Sequence, residues 1–205
     1  MMRSGIVIVA AVALAVAATA ARAADPRYPD WPCTQAKVPV ISLAAVWAGP
    51  ALDDAETKWK DDAKISALVS KLSARKTPLD EAEKSVKEFL AGSAADKTAN
   101  AKLLFAGLFD TLNAQRSQVM SGLERVSRKQ REAADKIREE TLALQALQSA
   151  TPRDEAKVEA LSNDLIWKTR IFEDRHKVVR FVCEVPTTID QRLFALGRVI
   201  QQEME

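Results

Sequence analysis

KTANAKLLFAGLFDTLNAQRSQVMSGLERVSRKQREAADKIREETLALQALQS, residues 97–149, is followed after a short turn by RDEAKVEALSNDLIWKTRIFEDRHKVVRFVCEV, residues 153–185. In the first arm Leu108, Leu112, Val119, Leu123, Val126, Ala133, Ile137 and Leu144 recur at intervals of three, four or seven. In the second, Val158, Leu161, Leu165, Phe172, Val179 and Val182 do the same. Such spacing lays one apolar stripe along a helix, and two facing stripes bury each other. The stretch therefore predicts an antiparallel, coiled-coil-like helical hairpin turning at Ser149-Ala150-Thr151-Pro152. A first arm over residues 96–149 would be on the order of 80 Å long at 1.5 Å per residue. Gly107 and Gly122 are its weak points, where a kink or break would shorten the hairpin without changing its topology, because each costs about 1 kcal/mol against Ala in a helix interior. From Glu124 to Glu140 only Val126, Ala133 and Ile137 continue the stripe between charges, so this part is expected to be thin and to project.

Outward from the hairpin the helical signals continue. Acids (Asp53, Asp54, Glu56) open a helix over about 53–75 and bases (Lys71, Arg75, Lys76) close it, as the helix dipole favours. Its buried side is Ala55, Trp59, Ile65, Leu68, Val69 and Leu72. Thr77-Pro78-Leu79-Asp80 has the form of a cap followed by proline at the first helical position, opening a helix over about 78–91 that Ala91-Gly92-Ser93 ends. Thr151-Pro152-Arg153-Asp154 repeats those signals at the head of the return arm, about 152–184. Pro186 then breaks the chain, Thr187 or Thr188 caps, and a last helix over about 187–203 carries Ile189, Leu193, Leu196, Val199 and Ile200 on one side. With 5% aromatic residues and 6 glycines, the expected class is all-α: an antiparallel bundle, residues 53–205 forming one domain.

The N-terminus has a different composition. Arg3, an apolar run from Ile6 to Ala20 and Ala21-Arg22-Ala23 have the order of a secretory signal cleaved after Ala23. Its removal takes two cations and no acid from 30 Lys and Arg against 28 Asp and Glu, leaving a neutral chain without the electrostatic footprint of a nucleic-acid binder. No second long apolar run follows, so no transmembrane segment is expected after cleavage. Residues 24–52 hold Pro26, Pro29, Pro32, Pro39 and Pro50 out of 8 prolines, and should form an extended strap. Within it Ser42 can cap a short helix stopped by Gly49-Pro50, while Trp31, Val38, Val40, Leu43 and Trp47 are expected to grip the body. An exported protein meets an oxidising compartment, and the only cysteines, Cys33 and Cys183, are expected to form a disulfide. Closing so long a loop stabilises by roughly 5 kcal/mol at most in the chain-entropy model.

Asp30-Trp31-Pro32-Cys33-Thr34-Gln35, then Val38-Pro39, then Trp47-Ala48-Gly49-Pro50, resembles an N-terminal signature of uncharacterised exported bacterial helical proteins. The resemblance covers about twenty residues. It implies a periplasmic or secreted location and no named activity. A Trp-Pro-Cys segment of this kind reads either as a strap held by its disulfide or as a tag for a partner.

Catalytic signals are weak. Glu173-x-x-His176 places a carboxylate and an imidazole on one helix face, but His176 is the only histidine, which removes the paired motif of a di-iron bundle and leaves a solvated side chain as the expectation. No Gly-x-Ser-x-Gly, phosphate-binding loop or His-Glu-x-x-His is present, and no cofactor or metal is expected. Arg125, Arg128, Lys129 and Arg131, interleaved with Glu124 and Glu132, read as a solvated helix face, with an anionic lipid or envelope polymer as the sharper alternative. Trp167 reads as helix packing. The functional expectation is a non-enzymatic exported interaction or scaffold protein whose hairpin docks an envelope protein or self-associates. The alternative is a periplasmic binder of a small ligand or metal, with a site at the hairpin base around Trp31, Trp47, Trp59 and His176.

Overall fold

The computed structural model describes residues 25–93 and 95–205, so the expected export signal lies outside the described residues. The described residues hold seven helices and no strand: α1 (Leu43–Val46), α2 (Ala55–Lys58), α3 (Ala63–Ser73), α4 (Leu79–Ala91), α5 (Lys97–Ser149), α6 (Glu155–Val182) and α7 (Val185–Met204). The all-α class and the long helix agree with the sequence reading.

The 53 residues of α5 form the spine. α6 returns along its outer half, and α7 continues that return along its inner half. Contacts mark the antiparallel course: Lys168 reaches Glu140, the Gln130 side chain donates to the Phe172 carbonyl, Arg116 meets Asp190, and Gly197 lies on Phe105. α3 packs on α5 and α4 packs mainly on α7, closing a four-helix body around Leu104, Phe105, Leu108 and Leu112 of α5 and Leu193, Leu196 and Ile200 of α7. Beyond Leu123 no residue of α5 is fully buried, and α6 buries only Val158 and Leu165. The outer hairpin is thin, as its charge pattern predicts, because two helices have no third to cover their remaining sides.

α5 runs unbroken past both glycines. At Gly107 an added Cβ would stand 2.6 Å from Val69 Cγ2 and 2.9 Å from the Trp59 ring, so the missing side chain is what lets α2 and α3 reach the spine. The continuous helix expected over 53–75 is instead α2 and α3, separated at residues 59–62. The Asp62 carboxylate accepts from the Lys64 and Ile65 backbone N–H groups, and this capping chemistry starts a new helix inside an otherwise helical pattern. Three other boundaries move for similar reasons. Asp154, rather than Thr151, caps α6 through the Lys157 N–H. The Thr77 hydroxyl donates to the Lys71 carbonyl in the last turn of α3 and does not cap α4. Pro186 sits within the first turn of α7, where its absent N–H costs no bond, and the Thr188 hydroxyl donates to the Glu184 carbonyl.

Arg116 is 4% exposed, and its Nε stands 2.7 Å from Asp190 Oδ1 in an ion pair whose N–H is not aimed along the contact. Burial raises the Asp190 pKa above the ordinary carboxylate value, outweighing the pull of Arg116.

Candidate partner-binding surface

The strap is held by polar and sulfur groups as well as by part of the expected apolar grip. Cys33 and Cys183 form a disulfide with Cα atoms 5.5 Å apart, at the junction of α6 and α7. Asp30 pairs with Arg128 at 2.7 Å and with Arg131, and hydrogen bonds from those two guanidiniums hold its carboxyl below the usual range. The Trp31 indole donates to the Gln35 carbonyl, the Gln35 amide to the Cys183 carbonyl, and Lys37 pairs with Glu124 at 2.5 Å. Val38 and Val40 are exposed, contrary to expectation, whereas Trp47 enters the core and Leu43 packs against it as expected, joined by Ile41, Val46 and Leu52. Trp47 stacks on Phe105 with ring centroids 4.2 Å apart, and its indole donates to the Pro50 carbonyl. Gly49 lies flat against that indole, where a Cβ would come within 2.5 Å. The Asp-Trp-Pro-Cys-x-Gln and Trp-x-Gly-Pro segments thus close on the chain's own helices.

Of the four residues expected to share a site at the base, Trp47 and Trp59 are buried in the core. Trp31 belongs to the strap, and His176 is exposed on α6. An open groove between α5 and α6 is lined by none of them. Among the described residues no group of three or more His, Cys, Asp or Glu is placed to hold a metal ion. Two cations of the expected basic face, Arg128 and Arg131, are occupied by Asp30.

The surface that stands out is the outer hairpin. Trp167, expected as packing, is 63% exposed, and Ile171, Val178 and Phe181 are exposed with it, Phe181 to 78%. With Asp174 these positions are spaced 4, 3, 4 and 3, the interval of a coiled-coil seam, and they form a second stripe on α6 distinct from the one facing α5. Between this stripe and α5 lies an open groove of about 820 Å³. Val119, Gly122 and Val126 of α5 and Ile171, Val178 and Val182 of α6 supply its apolar walls. Gly122 leaves its floor open, since an added Cβ would meet only the Arg125 guanidinium, at 3.9 Å.

Arg125, Lys129 and Arg175 stand on the rim, and none makes an ion pair among the described residues. The rim's carboxylate, Asp174, is held by Lys177 at 3.1 Å. This surface offers apolar contact framed by positive charge, and no nucleophile paired with a base. The second stripe was legible as Trp167-x-x-x-Ile171-x-x-Asp174-x-x-x-Val178-x-x-Phe181, but its central Asp and the stronger inner stripe concealed it. Among the described residues no helix is long and apolar enough to cross a membrane. No family model, curated protein or solved structure matches the chain.

Proposed function

We propose that this chain is a non-enzymatic, exported interaction protein whose helical hairpin docks another protein of the cell envelope. The observation that carries the reading is the exposure of Trp167, Ile171, Val178 and Phe181 in one coiled-coil-spaced stripe on the projecting hairpin. Scattered single apolar residues on a surface need no explanation, whereas a contiguous stripe of this kind marks an interaction site. Export is supported by the order of the first 23 residues and by the pairing of the only two cysteines, which suits an oxidising compartment.

Photo-crosslinking positions introduced along the hairpin in the producing cell test the reading. Discrete adducts from the outer hairpin, absent from control positions on α4, are expected. A mature protein beginning at Ala24 is expected on N-terminal sequencing. Failure to find any hairpin adduct overturns the docking role, and an unprocessed N-terminus in the cytosolic fraction overturns export.

A further inference from the structure

We infer that the groove between α5 and α6 seats a third helix, supplied by a different protein, that is apolar along one heptad seam and acidic on both flanks of that seam. This rests on the docking reading above and names the partner's chemistry.

Three features select a helix. The exposed stripe has the 4, 3, 4, 3 spacing of a helix-packing seam. The apolar surface is concave, with walls on two antiparallel helices and an opening at Gly122, so a ridge of side chains fits where a flat bilayer surface would leave the floor uncovered. The groove follows the helix axes, so a helix laid in it would complete a three-helix layer that the thin hairpin lacks.

Charge selects the partner's sequence and argues against a second copy. Cations flank the seam on both sides. Arg175 and Lys168, the latter paired with Glu140 and Asp164, lie on one edge of the Trp167–Phe181 stripe; Arg170 and Lys177, the latter paired with Asp174, lie on the other, so among the described residues the uncompensated charge of each edge is Arg175 and Arg170. In an antiparallel α6 pair with Ile171 opposite the partner's Asp174, Lys168 falls beside the partner's Arg175, and Arg170 beside the partner's Lys177. A parallel pair brings the same two cationic edges together. Both arrangements set like charges against each other, which disfavours self-pairing. On the groove side Arg125, Lys129 and Arg175 are free of carboxylate partners among the described residues, so acids flanking an apolar ridge would satisfy cations that the fold leaves unpaired.

The test uses the full disulfide-bonded chain and two synthetic three-heptad peptides, identical in Leu and Ile at the seam but carrying Glu or Lys at both flanking positions. Binding is followed by anisotropy of the labelled peptide. The Glu peptide is expected to bind at least about tenfold more tightly than the Lys peptide at low ionic strength, with the margin shrinking as salt is added. Arg125→Glu/Lys129→Glu/Arg175→Glu, a change confined to the rim, should invert the preference. Val178→Glu, at an exposed position, should abolish binding of both while leaving the far-UV spectrum unchanged. Equal affinity for the two peptides, or a preference that survives the triple variant, overturns the inference. So does a concentration-dependent dimer lost in Ile171→Glu, which would make the occupant a second copy. Binding of phosphatidylglycerol vesicles through the same residues, without peptide preference, overturns it in favour of a membrane surface. In the crosslinking experiment, adducts from Leu142 near the hairpin tip but none from Val126 would sink this inference and leave the docking role standing. Silence at both positions removes the docking role itself.

Discussion

At the scale of single residues, the two glycines of α5 have opposite roles despite identical helix propensity. Gly107→Ala must push Val69 or the Trp59 ring aside. The strain of overpacking, typically 1–3 kcal/mol, exceeds the gain of about 1 kcal/mol in helix propensity, so a net loss of stability is expected in urea unfolding. Gly122→Ala meets open space and should gain up to about 1 kcal/mol. Equal shifts for the two variants would refute this account of the spine. Two carboxylates that face arginines likewise respond oppositely to acid. Asp30, on the surface, has its pKa lowered by hydrogen bonds from Arg128 and Arg131, so its contribution is present above the unfolded value of about 4 and lost as the pH falls through the lower folded value. Asp190 has its pKa raised by burial, so the folded chain holds that proton more tightly, and its contribution is present below the unfolded value and fades as the pH rises through the folded one. As the pH falls the Arg116–Asp190 pair is therefore neutralised first, with no loss of stability from that proton, and the Asp30 pairs of the strap are lost only at lower pH. Asp30→Asn is expected to flatten the acid limb of a pH–stability curve, and identical curves for wild type and variant would refute the assignment. Asp190→Asn, which keeps a polar oxygen beside the guanidinium, should cost less at neutral pH than Asp190→Leu, which strands a buried cation at about 3 kcal/mol.

The elements divide by how many neighbours each can lean on. α6 packs chiefly on α5, whereas α7 is covered by α5, α4 and α1. Amide hydrogen exchange should accordingly run through residues 130–175 well before 104–112 or 189–200, and uniform protection would contradict the two-helix stalk. Asp154→Ala, by removing the cap on the Lys157 N–H, should cost about 1 kcal/mol, confined to that outer segment. Helix class and the hairpin's position were legible because apolar periodicity depends on burial and burial is what the fold satisfies. Boundaries were less so, since Asp62, Asp154 and Thr77 each compete for the same few backbone groups at a helix end and the outcome turns on local angles. The outer stripe on α6 was obscured for a different reason. A sequence reports that a residue is apolar without reporting which neighbour is missing, and Trp167 reads as packing until the structure shows it 63% exposed, with the Arg170 guanidinium over its ring.

Across the whole molecule, the strap binds the body and the hairpin into one unit. Its aromatic anchor, Trp47, enters the core beside Phe105, while Asp30, Lys37 and Cys33 fasten to the root of the hairpin. The stacked ring pair adds about 0.5–1.5 kcal/mol beyond its burial. The disulfide, closing a loop with a sequence separation of 150, should add up to about 5 kcal/mol. Cys33→Ser/Cys183→Ser is expected to lower the denaturation midpoint by a corresponding amount and to expose the strap to protease first. A double variant as stable as the parent would place the strap's hold in its ion pairs and its buried apolar side chains.

The bridge also governs how the protein bears load. Everything from Cys33 to Cys183, including α1 to α6, lies within one covalent ring, and among the described residues the first strap residues and the segment carrying α7 lie outside it. Along the covalent path, tension applied between the two ends of the described chain passes through the S–S bond and reaches the hairpin through contacts such as those of Asp30 with Arg128 and Arg131. Under such a pull α7 can unravel while α5 and α6 stay inside the closed ring, so a force on the ends bypasses the groove between them along the covalent path.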